Sequence, residues 1–258
     1  MKTWFITGVS SGFGHEMARR LLADKNRVAG TVRREGSADD LDLTWLGHVD
    51  VTDLPKVREV VDAAFAELGR IDVVVMNAGY GLFGAAEEVS DEQMQHQIAT
   101  NLLGSIQTAR AALPHLRAQG GGRLIQISSV AGLAAFPGAS LYHASKWGVE
   151  GFIEALAGEV APFGIGVTLV EPGGARTSFA GGSLKIGQPL PAYDGTPASF
   201  VRGLQQGLVE IPGDPVEYAA RVIESAGVEP APMRLVLGAD SQQAVTAALR
   251  NRLAQVEG

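Results

Sequence analysis

The stretch Thr3-Trp4-Phe5-Ile6-Thr7-Gly8-Val9-Ser10-Ser11-Gly12-Phe13-Gly14 sets a short apolar run directly before three closely spaced glycines. The run predicts a buried strand, and apolar residues at helical spacing over 15–23 predict a helix after it. A glycine-rich turn between a strand and a helix is a phosphate site, because backbone N–H groups and the helix dipole both face the anion. The stretch therefore predicts a nucleotide-binding α/β unit at the start of the chain.

The three glycines have separate uses in this prediction. Gly8 allows a tight turn, Gly12 lets the backbone approach a pyrophosphate, and Gly14 lets the helix pack closely on the strand. Their spacing, G-x-x-x-G-x-G, differs from the G-x-G-x-x-G fingerprint, and glycines in a loop are often only a loop. The position between strand and helix favours a cofactor site, whose predicted ligands are Gly8, Ser10, Ser11, Gly12, Phe13 and Gly14.

Strand-like and helix-like segments alternate along the rest of the chain. Apolar runs predict strands at 27–32, 45–49, 71–76, 123–127, 166–170 and 233–237. Helical periodicity predicts helices at 54–68, 92–117, 142–160, 216–225 and 244–253. This alternation is typical of an α/β fold of the doubly wound Rossmann type, with a parallel sheet flanked by helices.

The domain organisation follows from what interrupts this pattern. No linker or repeat divides residues 1–258, which predicts a single domain. The segment 177–214 is rich in glycine and proline and has weak periodicity. It is longer than most connections, which predicts a substrate-binding loop or lid with a short helix near 199–208.

Polar residues follow several of the predicted strands, and ligands of open α/β sheets bind beyond the carboxyl ends of strands. Asn77-Ala78-Gly79 follows the strand 71–76, at the same edge as the glycine-rich turn. Asp50-Val51 follows the third strand, where a carboxylate can meet an adenine amino group. The competing interpretation of this acidic segment is structural, because Asp53 can equally cap the next helix.

The second strand ends at Arg33-Arg34, which bears on the choice of cofactor. An acidic residue at this point binds the ribose hydroxyl of NAD, whereas an arginine suits the 2′-phosphate of NADP. A guanidinium matches phosphate geometry with two donors, and the strand contains no acidic residue. We therefore expect NADP(H) as the cofactor, with Arg33 as the first candidate to bind the 2′-phosphate and Arg34 as the second. NAD(H) is the other possible cofactor. The alternative interpretation is that the two arginines are only a solvated basic pair at the end of the strand.

Tyr142 and Lys146 are four residues apart in Tyr142-His143-Ala144-Ser145-Lys146, at the start of a predicted helix. Residues at this spacing lie one above the other on a helix face. A neighbouring ammonium stabilises a phenolate and lowers the pKa of the tyrosine, which is about 10 when unperturbed. A shift towards neutral pH would let Tyr142 exchange a proton with an alcohol or ketone oxygen. The alternative is an ordinary surface pair on an amphipathic helix.

Asn101 and the pair Ser128-Ser129 are further candidates. Asn101 lies in the middle of the helix predicted over 92–117, where a buried amide needs hydrogen-bond partners. The serines stand at the carboxyl end of the strand 123–127, where a hydroxyl can hold a substrate oxygen. Each has a plain alternative, an exposed amide for Asn101 and a turn residue for the serines.

Composition narrows the class of protein. Of 258 residues, 46% are hydrophobic and 19% charged, as in ordinary globular proteins. A net charge of −7 argues against a nucleic-acid surface, and the absence of cysteine excludes disulfides and thiolate chemistry. The apolar run at the N-terminus is too short for a signal or a membrane span, so a soluble cytoplasmic protein is expected. The five histidines lack metal-ligand spacing, no metal site is predicted, and His143 is assigned to the surface.

Taken in order, these motifs resemble those of the short-chain dehydrogenase/reductase family. The matching segments span most of the chain: Thr7-Gly8-x-x-x-Gly12-x-Gly14, Asn77-Ala78-Gly79, Asn101, Ser129, Tyr142-x-x-x-Lys146 and Pro172-Gly173-x-x-x-Thr177. The resemblance implies a seven-stranded parallel sheet, a nicotinamide cofactor and a homodimer or homotetramer. It also favours Ser129 over Ser128. Met76 departs from the family, which usually has a second asparagine there.

The resemblance assigns roles to these residues. It makes Tyr142 the general acid/base and gives Lys146 the task of lowering its pKa and holding the nicotinamide ribose. Ser129 positions the substrate oxygen, and Asn101 holds a water in a proton relay. Pro172, Gly173 and Thr177 join the cofactor site, with Thr177 on the carboxamide.

The expected function is NADP(H)-dependent hydride transfer between the nicotinamide and a secondary alcohol, ketone or aldehyde. The alternative is a dinucleotide-binding regulatory protein on the same fold without catalysis. Six apolar or aromatic residues predict an apolar substrate pocket: Tyr80, Leu82, Val130, Leu133, Phe136 and Phe179.

Overall fold

A computed structural model describes residues 1–176, 184–205 and 211–258. Its main element is a seven-stranded, fully parallel sheet, and two further strands pair separately. In chain order the strands are β1 Thr3–Thr7, β2 Arg27–Val32, β3 Trp45–His48, β4 Val73–Met76, β5 Gly81–Phe83, β6 Gly122–Ile127, β7 Ile165–Pro172, β8 Leu184–Ile186 and β9 Arg234–Leu237.

Helices connect the strands. In chain order they are α1 Gly12–Ala23, α2 Leu54–Leu68, α3 Asp91–Ile98, α4 Gly104–Ala118, α5 Ser140–Val160, α6 Phe200–Gln205, α7 Pro215–Ser225 and α8 Ala239–Glu257. None of the helices in the described ranges is both long and apolar enough to span a bilayer.

The sheet is covered on both faces, which explains why its strands are apolar throughout. Successive residues of β1 face opposite sides, so Phe5 packs with α2, α4 and α5 while Ile6 packs with α1 and α7. These two layers form the main hydrophobic core. The prediction of a doubly wound parallel sheet with seven strands is confirmed.

The strand order of the sheet is β3-β2-β1-β4-β6-β7-β9. From the central pair β1 and β4, successive strands are added on one side as β2 and β3 and on the other side as β6, β7 and β9. Helices leave opposite faces on either side of this central pair, and a crevice opens at the carboxyl ends of the two strands. Ile6 pairs with Val75 in the register of β1 and β4, which sets Gly8 and Asn77 beside each other at that edge. The main-chain N–H groups of Asn77 and Ala78 donate to Thr7 Oγ1 over 2.9 Å and 3.0 Å.

Three features differ from the sequence prediction. The helix predicted over 92–117 contains a π-helical turn, Ala99–Leu103, between α3 and α4. The parallel pair β5–β8 was not predicted, because it joins segments far apart in the chain. Helix α8 begins at Ala239 rather than 244, since its first turn carries polar residues such as Asp240 and Ser241 that leave no apolar periodicity.

Candidate active site

A cavity of about 610 Å³ lies along the carboxyl edge of the sheet and takes in most of the predicted site. The predicted residues that line it are Gly8, Ser10, Ser11, Gly12, Phe13, Arg33, Asp50, Val51, Asn77, Ala78, Gly79, Ser129, Tyr142, Lys146, Pro172 and Gly173. Three others, Gly14, Arg34 and Asn101, lie outside its wall. Thr177 falls outside the described residues.

The glycine-rich turn fits a dinucleotide phosphate. Gly8 and Gly12 have positive φ angles of 74° and 59°, which a residue with a side chain rarely adopts. The first turn of α1 has no side-chain cap at Ser11 and no acidic residue, so its N–H groups stay available to an anion. A Cβ atom at Gly14 would lie 2.2 Å from Gly8 O, so close packing of helix on turn requires glycine there.

Asn77 holds this turn from β4. Its side-chain Nδ2 donates to Thr7 O over 2.9 Å and to Gly8 O over 3.0 Å. The amide lines the cavity, but its donors are engaged by main-chain carbonyls of the turn. Its evident contribution is therefore to fix the end of β1 against β4, beside the phosphate site.

Arg33 and Asp50 meet at the far end of the cavity. The guanidinium Nη1 of Arg33 lies 3.8 Å from Asp50 Oδ2, and both side chains remain accessible. Burial acts to raise the pKa of Asp50, but hydrogen bonds from Thr52 and the charge of Arg33 outweigh it, so that pKa is lowered. Asp53 caps α2 by accepting from Lys56 N over 3.0 Å, which is the competing role that the sequence allowed for this segment.

Asn101 is buried, at 1% exposure, in the π-helical turn. Its Oδ1 accepts from Tyr80 N over 3.0 Å, and its Nδ2 donates to Tyr80 O over 2.9 Å. A third bond runs from Nδ2 to Ser145 Oγ over 3.3 Å. The amide therefore has the partners that a buried asparagine needs, and it ties the segment after Gly79 to α5.

Ser129, Tyr142 and Lys146 converge at the centre of the cavity. Ser129 follows β6, and its Oγ accepts from Ala131 N over 3.1 Å. The side chain of Ser129 also hydrogen-bonds the Tyr142 hydroxyl. Lys146 Nζ donates to Ile127 O over 3.0 Å and lies 5.9 Å from the centre of the Tyr142 ring. A hydroxyl, a phenol and an ammonium therefore line the same cavity.

The pKa values differ from the sequence expectation. Burial raises the pKa of Tyr142 to about 12, although the hydrogen bond with Ser129 acts in the opposite direction. Burial lowers the pKa of Lys146 to about 8, with the Glu150 carboxylate opposing it. The expectation of a phenol pKa near neutral pH is therefore wrong for the chain alone, because burial, which disfavours the charged form of each group, is the largest cause of both shifts.

The outer part of the cavity is walled mainly by apolar and aromatic side chains. Tyr80, Val130 and Phe136 line it as predicted, whereas Leu82 and Leu133 are buried elsewhere. Leu82 faces away because neighbouring residues of a strand point to opposite sides, and Phe83 takes the cavity side. Phe179 is outside the described residues. Other apolar residues of the wall were not predicted from the sequence: Phe83, Leu184, Phe200, Val201, Ile211 and Pro212.

Asp240 and His143 are polar residues near the site that were not predicted either. Asp240, at the start of α8, lines the cavity and accepts from Gly174 N over 3.2 Å. Asp240 follows the strand β9 closely, and this position could have identified it from the sequence, as the position after a strand identified Ser129. His143 was assigned to the surface, but it is 6% exposed. Its side chain contacts the segment between Ser129 and Tyr142. Neighbouring residues of a helix point in different directions, so His143 on α5 packs against this segment rather than into the cavity.

Comparison with known proteins gives the same assignment along most of the chain. A family model described as short chain dehydrogenase matches residues 2–185. Oxidoreductase BOA17 of Botryotinia fuckeliana (strain B05.10) is 36% identical over 246 residues, which are 93% of this chain and 90% of that protein.

Two solved structures are similar as well. A short-chain dehydrogenase from Streptomyces avermitilis has a TM-score of 0.92 and 38% identity, over 99% of this chain and 94% of that one. An alcohol dehydrogenase from the archaeon Thermococcus sibiricus, complexed with 5-hydroxy-NADP, has a TM-score of 0.74 and 27% identity, over 92% and 96%. The chain therefore belongs to the short-chain dehydrogenase family, oxidoreductases that bind a nicotinamide dinucleotide and act on alcohol or carbonyl groups.

Proposed function

We propose that this protein is an NADP(H)-dependent oxidoreductase that interconverts an apolar secondary alcohol and its ketone, or an alcohol and an aldehyde. The observation that carries the proposal is the convergence of Ser129, Tyr142 and Lys146 in the same cavity as the glycine-rich turn. A non-catalytic dinucleotide-binding protein would have no need for a phenol and an ammonium held together in a buried position.

Arg33 supports NADP(H) over NAD(H). Arg33 lines the cavity directly after β2, and the charge of its guanidinium suits the 2′-phosphate that distinguishes NADP. The archaeal alcohol dehydrogenase with 5-hydroxy-NADP is a similar protein that binds a cofactor of the same kind. Asp50 partly neutralises Arg33, so NAD(H) remains the second candidate.

The glycine-rich turn and the first turn of α1 are the proposed pyrophosphate site, and Lys146 the proposed partner of the nicotinamide ribose. When bound, the nicotinamide supplies or accepts the hydride. Lys146 can bind the ribose because its Nζ donates one hydrogen bond to Ile127 O and has two further N–H donors.

Tyr142 is the proposed proton donor in carbonyl reduction. A pKa of about 12 keeps its hydroxyl protonated at neutral pH, which is the form that reduction requires. Ser129 shares the substrate oxygen with the phenol, and the proton passes from Tyr142 to that oxygen as the alcohol forms. The ammonium of Lys146 then stabilises the negative charge left on the phenol oxygen. In alcohol oxidation the same proton moves in the opposite direction.

An apolar substrate fits the outer cavity. The rings of Phe83 and Tyr142 pack edge-to-face with centroids 5.3 Å apart, and those of Phe136 and Phe83 do so at 6.2 Å. These rings continue the wall from the phenol outward and favour an aryl or other bulky ketone over a small charged sugar. We propose that the segment 177–214 covers this substrate as part of the single domain 1–258. Its elements β8 and α6 contribute Leu184, Phe200 and Val201 to the cavity wall.

The proposed assembly is a homodimer or homotetramer. Leu103, in the π-helical turn before α4, and Trp147, on α5, are each 41% exposed. Large exposed apolar side chains are common at interfaces. Light scattering of the purified protein measures the assembly, and a monomer at all concentrations would contradict it.

The decisive experiment measures oxidation of NADPH and NADH by the purified protein with a panel of aryl and alkyl ketones and aldehydes. We expect turnover with NADPH, and in Tyr142→Phe a loss of about 10²–10⁴-fold in kcat with cofactor binding retained. Cofactor binding without turnover of any substrate would favour the regulatory alternative. An undiminished rate in Tyr142→Phe would remove the role given to the phenol.

A further inference from the structure

His143 lies on α5 between the catalytic candidate Tyr142 and Ala144, and only 6% of it is exposed. Its ring packs against Phe136 in an edge-to-face arrangement with centroids 4.4 Å apart. The segment that it contacts connects Ser129 to α5 and includes a 3₁₀ turn over Val130–Gly132. The histidine thus lies behind the part of the cavity where Ser129 and Tyr142 meet.

Both ring nitrogens of His143 are paired with the main chain of that segment. Nδ1 lies 2.8 Å from Ala131 O, and Nε2 lies 3.1 Å from Phe136 N. A carbonyl oxygen only accepts and a main-chain N–H only donates, so Nδ1 carries the proton and Nε2 accepts. Burial lowers the pKa of His143, which favours the neutral ring that this pairing needs.

Each of these two bonds leads to a different part of the site. Ala131, whose carbonyl accepts from Nδ1, also donates its main-chain N–H, in the preceding peptide unit, to Ser129 Oγ over 3.1 Å. The N–H bonded to Nε2 belongs to Phe136, whose ring lines the outer cavity and meets Phe83. One imidazole therefore restrains the serine on one side and an aromatic wall residue on the other.

We propose that His143 is a positioning residue that orients Ser129 through Ala131 and the substrate wall through Phe136, so that it contributes to both rate and substrate selectivity. An apolar residue of similar shape would fill the space but leave Ala131 O and Phe136 N without these partners. The inference rests on the proposed function only for its kinetic consequences; the two hydrogen bonds are testable without turnover.

Two conservative variants separate the two bonds. In His143→Asn the amide reaches as far as Nδ1 and can keep the bond to Ala131 O. In His143→Gln the amide reaches as far as Nε2 and can keep the bond from Phe136 N. His143→Phe removes both. His115→Gln is the matched control, because His115 lies on the outer surface of α4, bonded to Asp62 and stacked on Phe65.

The kinetic test compares a compact alkyl ketone with a bulky aryl ketone. For His143→Asn we expect KM for the aryl ketone to rise about tenfold, with a smaller change for the alkyl ketone, since only the wall is released. For His143→Gln we expect kcat to fall about tenfold for both ketones, since the turn that holds Ser129 is released. The inference would be overturned if the folded variants His143→Asn and His143→Gln had the same kinetic constants as the control His115→Gln. It would also be overturned if His143→Asn and His143→Gln lost the same kinetic constant to the same extent.

NMR of the ¹⁵N-labelled protein provides the readout that does not depend on activity. We expect the wild-type ring to show a proton on Nδ1 and none on Nε2, and the Phe136 amide signal to shift in His143→Asn but less in His143→Gln. A proton on Nε2, or a charged ring at neutral pH, would overturn the positioning role. Absence of turnover in the wild type together with the expected NMR pattern would contradict the proposed function and support the hydrogen bonds. If His143→Phe does not fold, the comparison of His143→Asn with His143→Gln still tests the positioning role of His143.

Discussion

The ammonium nitrogen of Lys146 lies 5.9 Å from the centre of the Tyr142 ring, one helical turn further along α5. Its hydrogen bond goes to Ile127 O at the end of β6, over 3.0 Å. The sheet, rather than the phenol, therefore fixes where the amine is placed. A charge held in this way acts on the phenol through a buried, weakly screening environment, where electrostatic effects are large.

Lys146→Met should remove this charge while keeping a side chain of similar length. We expect kcat for carbonyl reduction to fall by about 10²–10³-fold, because the negative charge that forms on Tyr142 loses its neighbouring cation. Lys185→Met is the control, since Lys185 also lines the cavity but lies over the Tyr80 ring. Steady-state kinetics measure both, and similar losses in the two variants would contradict a specific role for Lys146.

Arg33→Ala tests the choice of cofactor. Loss of a charge-assisted hydrogen bond to a phosphate costs about 1.5–3 kcal/mol, so we expect KM for NADPH to rise about 10- to 100-fold. KM for NADH should change little, because NADH lacks the 2′-phosphate. Arg34→Ala, at an exposed position outside the cavity wall, should have the smaller effect. An equal rise for both cofactors would argue against recognition of the 2′-phosphate.

Gly14→Ala tests the packing of the glycine-rich turn. The new Cβ would lie 2.2 Å from Gly8 O and 2.5 Å from Asn77 Nδ2, so the turn must shift. We expect a loss of about 1–3 kcal/mol in the free energy of unfolding, with weaker cofactor binding. Urea titration and binding of NADPH measure these two effects.

Gly158→Ala on α5 is the matched control for this substitution. Apart from the local helix backbone, no atom of the described residues lies within 4 Å of the added Cβ there, and alanine is the better helix former. We expect a gain of about 0.5–1 kcal/mol in stability. A stable Gly14→Ala protein with normal cofactor binding would show that the close approach at this turn is not needed.

A group of charges behind the active site predicts how stability depends on pH. Arg234 on β9 contacts three carboxylates, Glu150, Glu154 and Glu171, with Glu150 Oε2 2.7 Å from Nη1. Burial, followed by the negative charge of Glu150, raises the pKa of Glu171 to about 7, although Arg234 opposes the shift. One oxygen of Glu171 also accepts no hydrogen bond from the described residues. A single guanidinium thus faces more negative charge than it can balance.

We expect this group to make the protein less stable as the pH rises towards and past 7. The pKa of Glu171 is raised above its ordinary value of 4.5, so the folded chain holds a proton that the unfolded chain releases. The resulting stabilisation is fully present below 4.5 and is lost as the pH rises through about 7. In Glu171→Gln this loss should disappear.

Thermal unfolding between about pH 5 and about pH 8 measures this dependence. The wild-type Tm should fall relative to that of Glu171→Gln over this range. Glu154→Gln is the control, because that carboxylate contacts the same arginine but its side chain is 52% exposed. Parallel Tm curves for wild type and Glu171→Gln would show that Glu171 holds no such proton.

Much of the fold and of the candidate site follows from local sequence. The strand before Gly8 and the run before Asn77 are apolar because central parallel strands are covered on both faces. The carboxyl ends of parallel strands share one edge, so residues that follow different strands, such as Ser129, are brought together without any contact being known. The four-residue spacing of Tyr142 and Lys146 needs only one helix. Short stretches of chain and the regular geometry of strands and helices are enough to determine these features.

Other features depend on segments distant in the chain. The wall residue Phe83 faces the cavity through the pairing of β5 with β8, for which no local pattern exists. His143 is buried because the segment after Ser129 folds back over α5 and offers partners to both ring nitrogens.

By itself, the order of residues determined which groups meet at the sheet edge: a glycine-lined turn, a serine, a tyrosine and a lysine. Only the packed chain decided their electrostatic state. The spacing of Tyr142 and Lys146 indicated a lowered phenol pKa, whereas removal of water by the surrounding elements raises it to about 12. Spacing reports the distance between two charges, but the cost of losing solvent depends on every element that closes around them.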